Sequence, residues 1–514
     1  MTAPDFAPFR DPAPLRGLGM GDFTRLAVGG LGDGHNSFAH SMAWFKGKIY
    51  LGTTRSNLCM LRVQSAYAET PFHVWPVDCP EALDGLYKLD RRPQIWCFDP
   101  EAATWEKLYT SPMVDGIDGK GKVAREIGYR SMLVFQGTQT EEPALYVATW
   151  APGRAPGGLF LRCTDGRTFE PVTKYGVIDP PFSTTRSLTE WRGRMYFAPT
   201  AQRGQTGGQQ NSALPMIFAS DTPEGDDWEA VNEPGFGDDG NLGIFSLAVA
   251  NDTLYAGTLN VDGLQIWATD GKGAAPYQWR KICDKGAGRG RLNQAVACMA
   301  EFNGALFVGT GIQGGGHDRV NNVGPAAAEV LRVNADDTVD LIVGDRDDED
   351  REPLSGLSAG FGQIFNGYMW AMGSHDGWLY AGTYDWSINL RWARLDATPP
   401  KIRKFLEAVG VEDIIRADGG ADMWRTADGE NWLPVTRRGF GNAYNWGIRN
   451  LVSTPGGLYV GTANVFGPRV AVKAGDEWVY DDNPVGGLEV WRGLLRNPED
   501  IQPATPVAAS PQLG

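Results

Sequence analysis

The chain has 514 residues, 42% of them apolar and 21% charged, with a formal net charge of -15. That charge repels phosphate backbones and excludes nucleic acid as a general partner. No apolar run approaches the roughly 20 residues that span a bilayer, so no membrane helix is expected. The six cysteines, at 59, 79, 97, 163, 283 and 298, show no Cys-x-x-Cys spacing and read as buried thiols of a reducing compartment. The opening MTAPDFAPFRDPAPLRG lacks the basic start and apolar core of a secretory signal. A cytoplasmic location is expected, or a secreted one if a signal has been removed.

In chain order, residues 1 to 21 are Pro/Gly-rich and read as irregular. A segment DFTRLAV, residues 22 to 28, precedes GGLGDGHN just as WLPVTRR precedes GFGNAYN near the end of the chain. It reads as a fourth strand that belongs to the last repeat. The repeats are anchored by seven apolar segments that end at Thr53, Thr149, Thr200, Thr258, Thr310, Thr383 and Thr462, as in KIYLGT and GLYVGT. Each sits in hairpin grammar: a short apolar strand, a Gly-containing turn and a strand of aromatic and β-branched residues. A third strand, a Thr-x-Asp-Gly turn and a fourth strand follow, which makes four strands per unit.

The expected fold class is therefore all-β: a seven-bladed β-propeller of four-stranded blades over residues 22 to 493. The last copy stops after its third strand, GLEVWRG, so the N-terminal strand is expected to complete that blade and close the ring. Insertions are expected at about 64 to 94 in the first blade, in QRGQTGGQQNS of the third and in GIQGGGHDRVNNVGP of the fifth. The acidic run at 345 to 352 reads as a solvated loop, with calcium at Asp345, Asp347 and Asp350 as the alternative. The largest insertion, about 386 to 421, contains KIRKFLEAVGVEDII, read as an amphipathic helix. The tail from 494 to 514 reads as disordered.

The turn Thr426, Asp428, Gly429 with Trp432 resembles the Asp-box hairpins of sialidase-like propellers, whose usual pattern is Ser-x-Asp-x-Gly-x-x-Trp; this copy lacks the spacer before Gly. Such turns are structural where they occur, so the resemblance implies a fold and no activity.

Aligning the repeats exposes three columns. A glycine recurs at Gly30, Gly235, Gly360 and Gly439. An asparagine recurs at Asn36, Asn241, Asn293, Asn366 and Asn445, with Glu126 in the second copy, and reads as a loop residue that bonds nearby backbone. Four residues on, a third column holds His40, Arg130, Arg186, Phe245, Ala297, Trp370 and Arg449. On a propeller this column lies near the channel mouth, on the face that collects the large insertions.

Three arginines and a histidine drawn towards one axis need neutralising, by an anionic ligand or by local carboxylates such as Glu126 or Glu190. The first reading makes Arg130, Arg186, Arg449, Trp370, Trp150 and Asp385 ligand-binding, with His40, Tyr384 and Glu126 as acid-base residues of a lyase or hydrolase acting on an acidic small molecule or glycan. A non-catalytic module that binds a protein or glycan on the same face is the second. A metal-dependent enzyme with a divalent ion on His35, His40, His73 and His317 is the third.

Overall fold

Two-residue turns with both residues at positive φ set the repeat. Lys46-Gly47, Arg192-Gly193, Asn251-Asp252, Asn303-Gly304 and Asp376-Gly377 all take this form in the computed structural model, the turn whose twist suits a tight antiparallel hairpin. The structure describes residues 16–63, 72–138, 140–202, 215–312, 314–346, 350–397 and 400–495. Residues 203 to 214, which carry all but the first residue of the expected Gly/Gln-rich loop, residues 1 to 15 of the N-terminal segment, the tail beyond 495 and Asp347 lie outside the described residues. Met20–Asp22 forms a single 3-10 turn where irregular chain was expected.

The fold is propeller-like, all antiparallel and mostly β. Its strands group into seven four-stranded units. In the first, Asn36–Phe45 pairs with Lys48–Arg55, then Gln94–Asp99, then Thr104–Thr110. The same order recurs in the second to sixth units. In the seventh, Gly447–Thr454, Gly457–Ala463 and Val490–Gly493 are followed by the N-terminal Phe23–Ala27, in the register Phe23 to Gly493 and Thr24 to Arg492. The first strands touch in sequence from unit to unit, and that of the seventh touches that of the first. Single bridges also cross between units, as at Thr54 with Gly128, Tyr384 with Gly447 and Phe38 with Ala463.

The asparagine column is a buried splice between strands. Asn36, Asn241, Asn293, Asn366 and Asn445 each donate Nδ2 to the carbonyl of Gly30, Gly235, Gly286, Gly360 and Gly439 respectively. The same amide donates to a side-chain oxygen opening the third strand: Gln94, Gln265, Glu329, Asp422 or Glu489. That residue's backbone N–H in turn donates to the hydroxyl of the Gly-Thr threonine, as Gln94 does to Thr53 and Glu489 to Thr462. The glycine is required because its φ is near +60° and an added Cβ would press on the asparagine, at 3.2 Å for Gly30 and 3.0 Å for Gly286. Gly286 is a fifth member of the glycine column, hidden in the alignment because seven residues rather than six separate it from its asparagine.

The Thr426 turn forms as expected: Asp428 Oδ1 accepts from the backbone N–H of Glu430 and Asn431. The single helix expected in the largest insertion is two, Pro400–Val409 and Val411–Asp418, broken at Gly410 with φ +90°. Two hairpins were not expected, Met113–Asp115 with Lys122–Ala124 and Arg469–Ala474 with Glu477–Asp482. No helix among the described residues is long and apolar enough to cross a membrane.

The reading of all six cysteines as thiols is corrected: Cys59 and Cys79 form a disulfide across a separation of 20 residues. Cys97, Cys163, Cys283 and Cys298 are free. The disulfide braces the insertion of the first unit, whose Trp75 and Val77 pack with Ile388 and Trp392 from the sixth and Val470 and Ala471 from the seventh. These insertions were expected to fringe an open mouth. Instead they interlock into an apolar cap that rests on Phe38, Trp150 and Trp446, the aromatic residues flanking the inner column.

Candidate functional site

The third column is built by a repeated backbone irregularity. In every first strand the pairing register slips at the column residue: between Ala39 and Ser41, Tyr129 and Ser131, Thr185 and Leu188, Ile244 and Ser246, Val296 and Cys298, Met369 and Ala371, and Ile448 and Asn450. A bulge leaves one residue out of the ladder and re-aims its side chain. Seven bulges at one level thus turn His40, Arg130, Arg186, Phe245, Ala297, Trp370 and Arg449 out of their own ladders.

The cations converge. His40 and Arg130 are buried, at 3% and 8% exposure, while Arg186 and Arg449 are half-buried. Each guanidinium lies over an aromatic ring: Arg130 over Trp150 at 5.0 Å, Arg186 over Phe245 at 4.3 Å and Arg449 over Trp370 at 5.5 Å. Arg186 Nη2 reaches Tyr368 Oη at 3.5 Å, which joins the third unit to the sixth. His40 sits 5.8 Å from the Trp150 ring.

Neither carboxylate expected as a local partner serves the column. Glu126 is taken by Arg125 Nε and by the Ser111 hydroxyl, and Glu190 accepts from the Gly193 backbone. Arg130 Nε and Nη1, Arg449 Nε and His40 Nδ1 are all buried without a hydrogen-bond partner. Burial and the neighbouring arginines hold His40 well below the usual imidazole range, so the ring is neutral at pH 7. Burial, reinforced by Arg186, brings Arg449 down to about 9, and burial with Arg186 and Arg449 lowers Arg130 far below its ordinary value. A cation-π contact stabilises by about 0.5 to 2 kcal/mol, less than the several kcal/mol that desolvating an ion costs. The cluster is therefore an uncompensated positive site, fitted chemically to an anion.

No protein-family model matches the chain, and no curated protein sequence matches it. Among solved structures, a puromycin hydrolase mutant aligns with 88% of this chain and 53% of its own, at 10% identity and a TM-score of 0.42. This chain thus spans about half the length of that protein. A Dyadobacter fermentans protein of unknown function aligns with 71% of this chain and 93% of its own, at 15% identity and TM-score 0.39. A putative 6-phosphogluconolactonase from Bacteroides fragilis aligns over 77% and 93%, at 13% and 0.35.

The structure brings together His40, Arg130, Arg186, Arg449, Trp150 and Trp370. Tyr384 packs edge-on against Trp370 and Trp446, with centroids 5.5 and 5.1 Å away, at the underside of the cap. Glu126 is turned to Arg125. Asp385 belongs to the asparagine splice of the sixth unit, fully buried, with Oδ1 accepting from the Ser387 backbone at 2.9 Å. The four histidines considered for a metal do not assemble. His35 Nδ1 meets Ser56 Oγ, exposed His73 donates its backbone N–H to Trp392, and half-buried His317 lies beside Asp318 and Arg319. Among the described residues no group of three His, Cys, Asp or Glu side chains is placed to hold a metal ion. Of the alternative calcium ligands, Asp345 faces Arg289 and Asp350 faces Arg346.

Sequence reasoning missed Tyr368 and Cys298. Tyr368 lies two residues before the column and Cys298 one after it; burial pushes the Cys298 thiol up to about 12 against the smaller, opposite pull of Arg449 and Arg186, so it stays un-ionised. The signal for Tyr368 was partial: the matching positions hold Phe38, Gly128, Thr184, Gly243, Ala295 and Gly447, so two aromatics share a column of otherwise small residues, and of the two rings only that of Tyr368 carries a hydroxyl.

Proposed function

We propose that residues 22 to 493 form one closed seven-bladed propeller, with Phe23–Ala27 as the outer strand of the last blade, and that it binds a small polyanion at the bulge column. The ring reading rests on the circuit of contacts between first strands and on the pairing of Phe23–Ala27 with Val490–Gly493. One observation carries the ligand reading: three guanidiniums and an imidazole converge, and Arg130 Nε and Nη1, Arg449 Nε and His40 Nδ1 are buried with no partner. A di- or tricarboxylate, an acidic sugar or a sulfate offers the several acceptor oxygens these donors need. The apolar cap over this face favours a small molecule over a protein or an extended glycan. The disulfide suits an oxidising compartment better than the cytoplasm.

His40 favours a second reading. A neutral imidazole beside arginines that would hold a uronate carboxylate can take the proton α to that carboxylate while the C–O bond β to it breaks. The departing oxygen takes the proton back from the imidazolium, which is β-elimination, a lyase reaction.

Thermal shift and calorimetry with citrate, sulfate and glucuronate test the site, with glucose as the neutral control. Citrate and sulfate are expected to raise Tm of the native chain, and Arg186→Ala with Arg449→Ala to remove the shift while leaving the ligand-free Tm unchanged or higher. No anion effect on the native chain would overturn the proposal, as would collapse of the variants' stability. For the second reading, any turnover of a bound uronide must disappear in His40→Asn; turnover that persists removes it.

A further inference from the structure

A second basic feature lies outside the column. Where the first and second units meet, a cleft of about 370 Å³ is walled by Leu89 from the first insertion, Met113 from the unexpected hairpin, and Ile127 and Pro152 from the second unit. That volume is in the range of small-molecule sites. Arg91 lines it and is 94% buried, being 6% exposed. Its Nη2 donates to the Met60 thioether at 3.4 Å, a weak acceptor, and its Nε has no partner.

The other charges of the cleft do not compensate Arg91. Asp90 is engaged by Arg92, whose Nε and Nη2 donate to its two carboxylate oxygens at 2.9 and 3.0 Å. Lys88 adds a further cation at the rim. One carboxylate against three cations leaves this cleft positive within a chain of net charge -15. Burial without an acid partner also lowers Arg91 to about 10. Met60 adjoins Cys59, so the disulfide fixes the wall that holds the guanidinium.

From this geometry we infer a second ligand site, which takes a monocarboxylate with an apolar body: the carboxylate meets Arg91 and the body lies against Leu89, Met113, Ile127 and Pro152. The apolar walls separate it from the column, where several cations face one another and a compact polyanion fits. It stands or falls independently of that proposal.

Calorimetry on the full chain with phenylacetate and inorganic phosphate as probes tests it, using native protein, Arg91→Met and Arg449→Ala. Arg91→Met keeps the unbranched stem and removes a buried unpaired charge, so its Tm is expected to hold or rise. Phenylacetate is expected to bind native protein and Arg449→Ala alike, and at least tenfold more weakly to Arg91→Met; phosphate is expected not to compete. Absence of phenylacetate binding to native protein would overturn the inference. So would undiminished binding to Arg91→Met, loss of binding in Arg449→Ala, or displacement by phosphate.

Discussion

Asp385 stands where other units place an amide. Asn260 and Asn464 donate to the Oδ1 of Asn241 and Asn445 at 3.1 and 3.2 Å, and Arg55 fills the same position with its own donor to Asn36. Asp385 has no N–H to give. Burial, with a contribution from the charge of Asp422, pushes its carboxyl up to about 8, so at neutral pH it is the protonated acid. The unfolded carboxyl titrates near 3.9, so between about pH 4 and 8 the folded state keeps a proton that the unfolded state has released. Its stabilising contribution is complete below pH 4 and is lost as pH rises to 8. Asp385→Asn should therefore gain on the native chain by on the order of 2 kcal/mol between pH 5.5 and 8, read by urea denaturation at both; an advantage independent of pH would contradict the assignment. His40 is displaced the opposite way. It is neutral in the free site, and a bound anion raises its pKa, so binding takes up a proton and tightens as pH falls. Sulfate, which stays a dianion across this range, should bind up to about tenfold more tightly at pH 5.5 than at 7.5, and His40→Asn should bind it with equal affinity at both.

At the scale of elements, strands and insertions were legible to different degrees. Most hairpins announce themselves locally, by a Gly-containing turn between apolar runs, and the strands follow the seven anchoring threonines, five of them preceded by glycine. The helix in 386 to 421 was visible as a period, but not its break, because Gly410 fits a helical pattern in sequence while its φ of +90° leaves the helix. The hairpin at Arg469–Asp482 carried a readable signal, alternation in RVAVKA and EWVY around Gly475. The cap was not readable: the His73 backbone N–H donates to the Trp392 carbonyl and Val77 pairs with Val470 across more than 300 residues of chain, and no local pattern encodes such a contact. The Cys59–Cys79 bridge escaped for the same reason, since a separation of 20 residues matches no short motif. In the loop-closure view a bridge of that span stabilises by about 3 kcal/mol. Its effect should be local to the cap, because the bridge lies outside the strand ladders. Cys59→Ser with Cys79→Ser is expected to speed proteolytic cleavage between 64 and 94 at least tenfold and to move the main thermal transition little. Thiol titration of the denatured, unreduced native chain should count four of its six cysteines; a count of six would refute the bridge.

On the scale of the whole molecule, repetition made the architecture readable and also hid the site's geometry. Seven copies give the strand order, five of them give the asparagine splice, and in five the column residue recurs at one fixed spacing from the anchoring threonine. The bulge that turns the column residue out of its ladder has no residue signature, since His, Arg, Phe, Ala and Trp all occupy it. That freedom is informative. The backbone sets the position in all seven units, so the side chain can vary while the strand is kept, and the strand geometry alone does not call for three arginines there. The last unit differs from the others in one respect: its fourth strand comes from the opposite end of the chain. Phe23 packs on Phe440 with centroids 5.4 Å apart, and Leu18 is buried in the same cluster, so the N-terminal segment contributes core as well as pairing. Without it, Val490–Gly493 would present an unpaired edge and the cluster around Trp491 would open to water. Deleting residues 1 to 27 is expected to lower Tm by about 10 °C or more and to promote self-association, read by calorimetry and light scattering. A truncated chain lacking the first 27 residues that melts with the native Tm as a monomer would show that the strand is an ornament of the last unit rather than the piece that holds the two ends together.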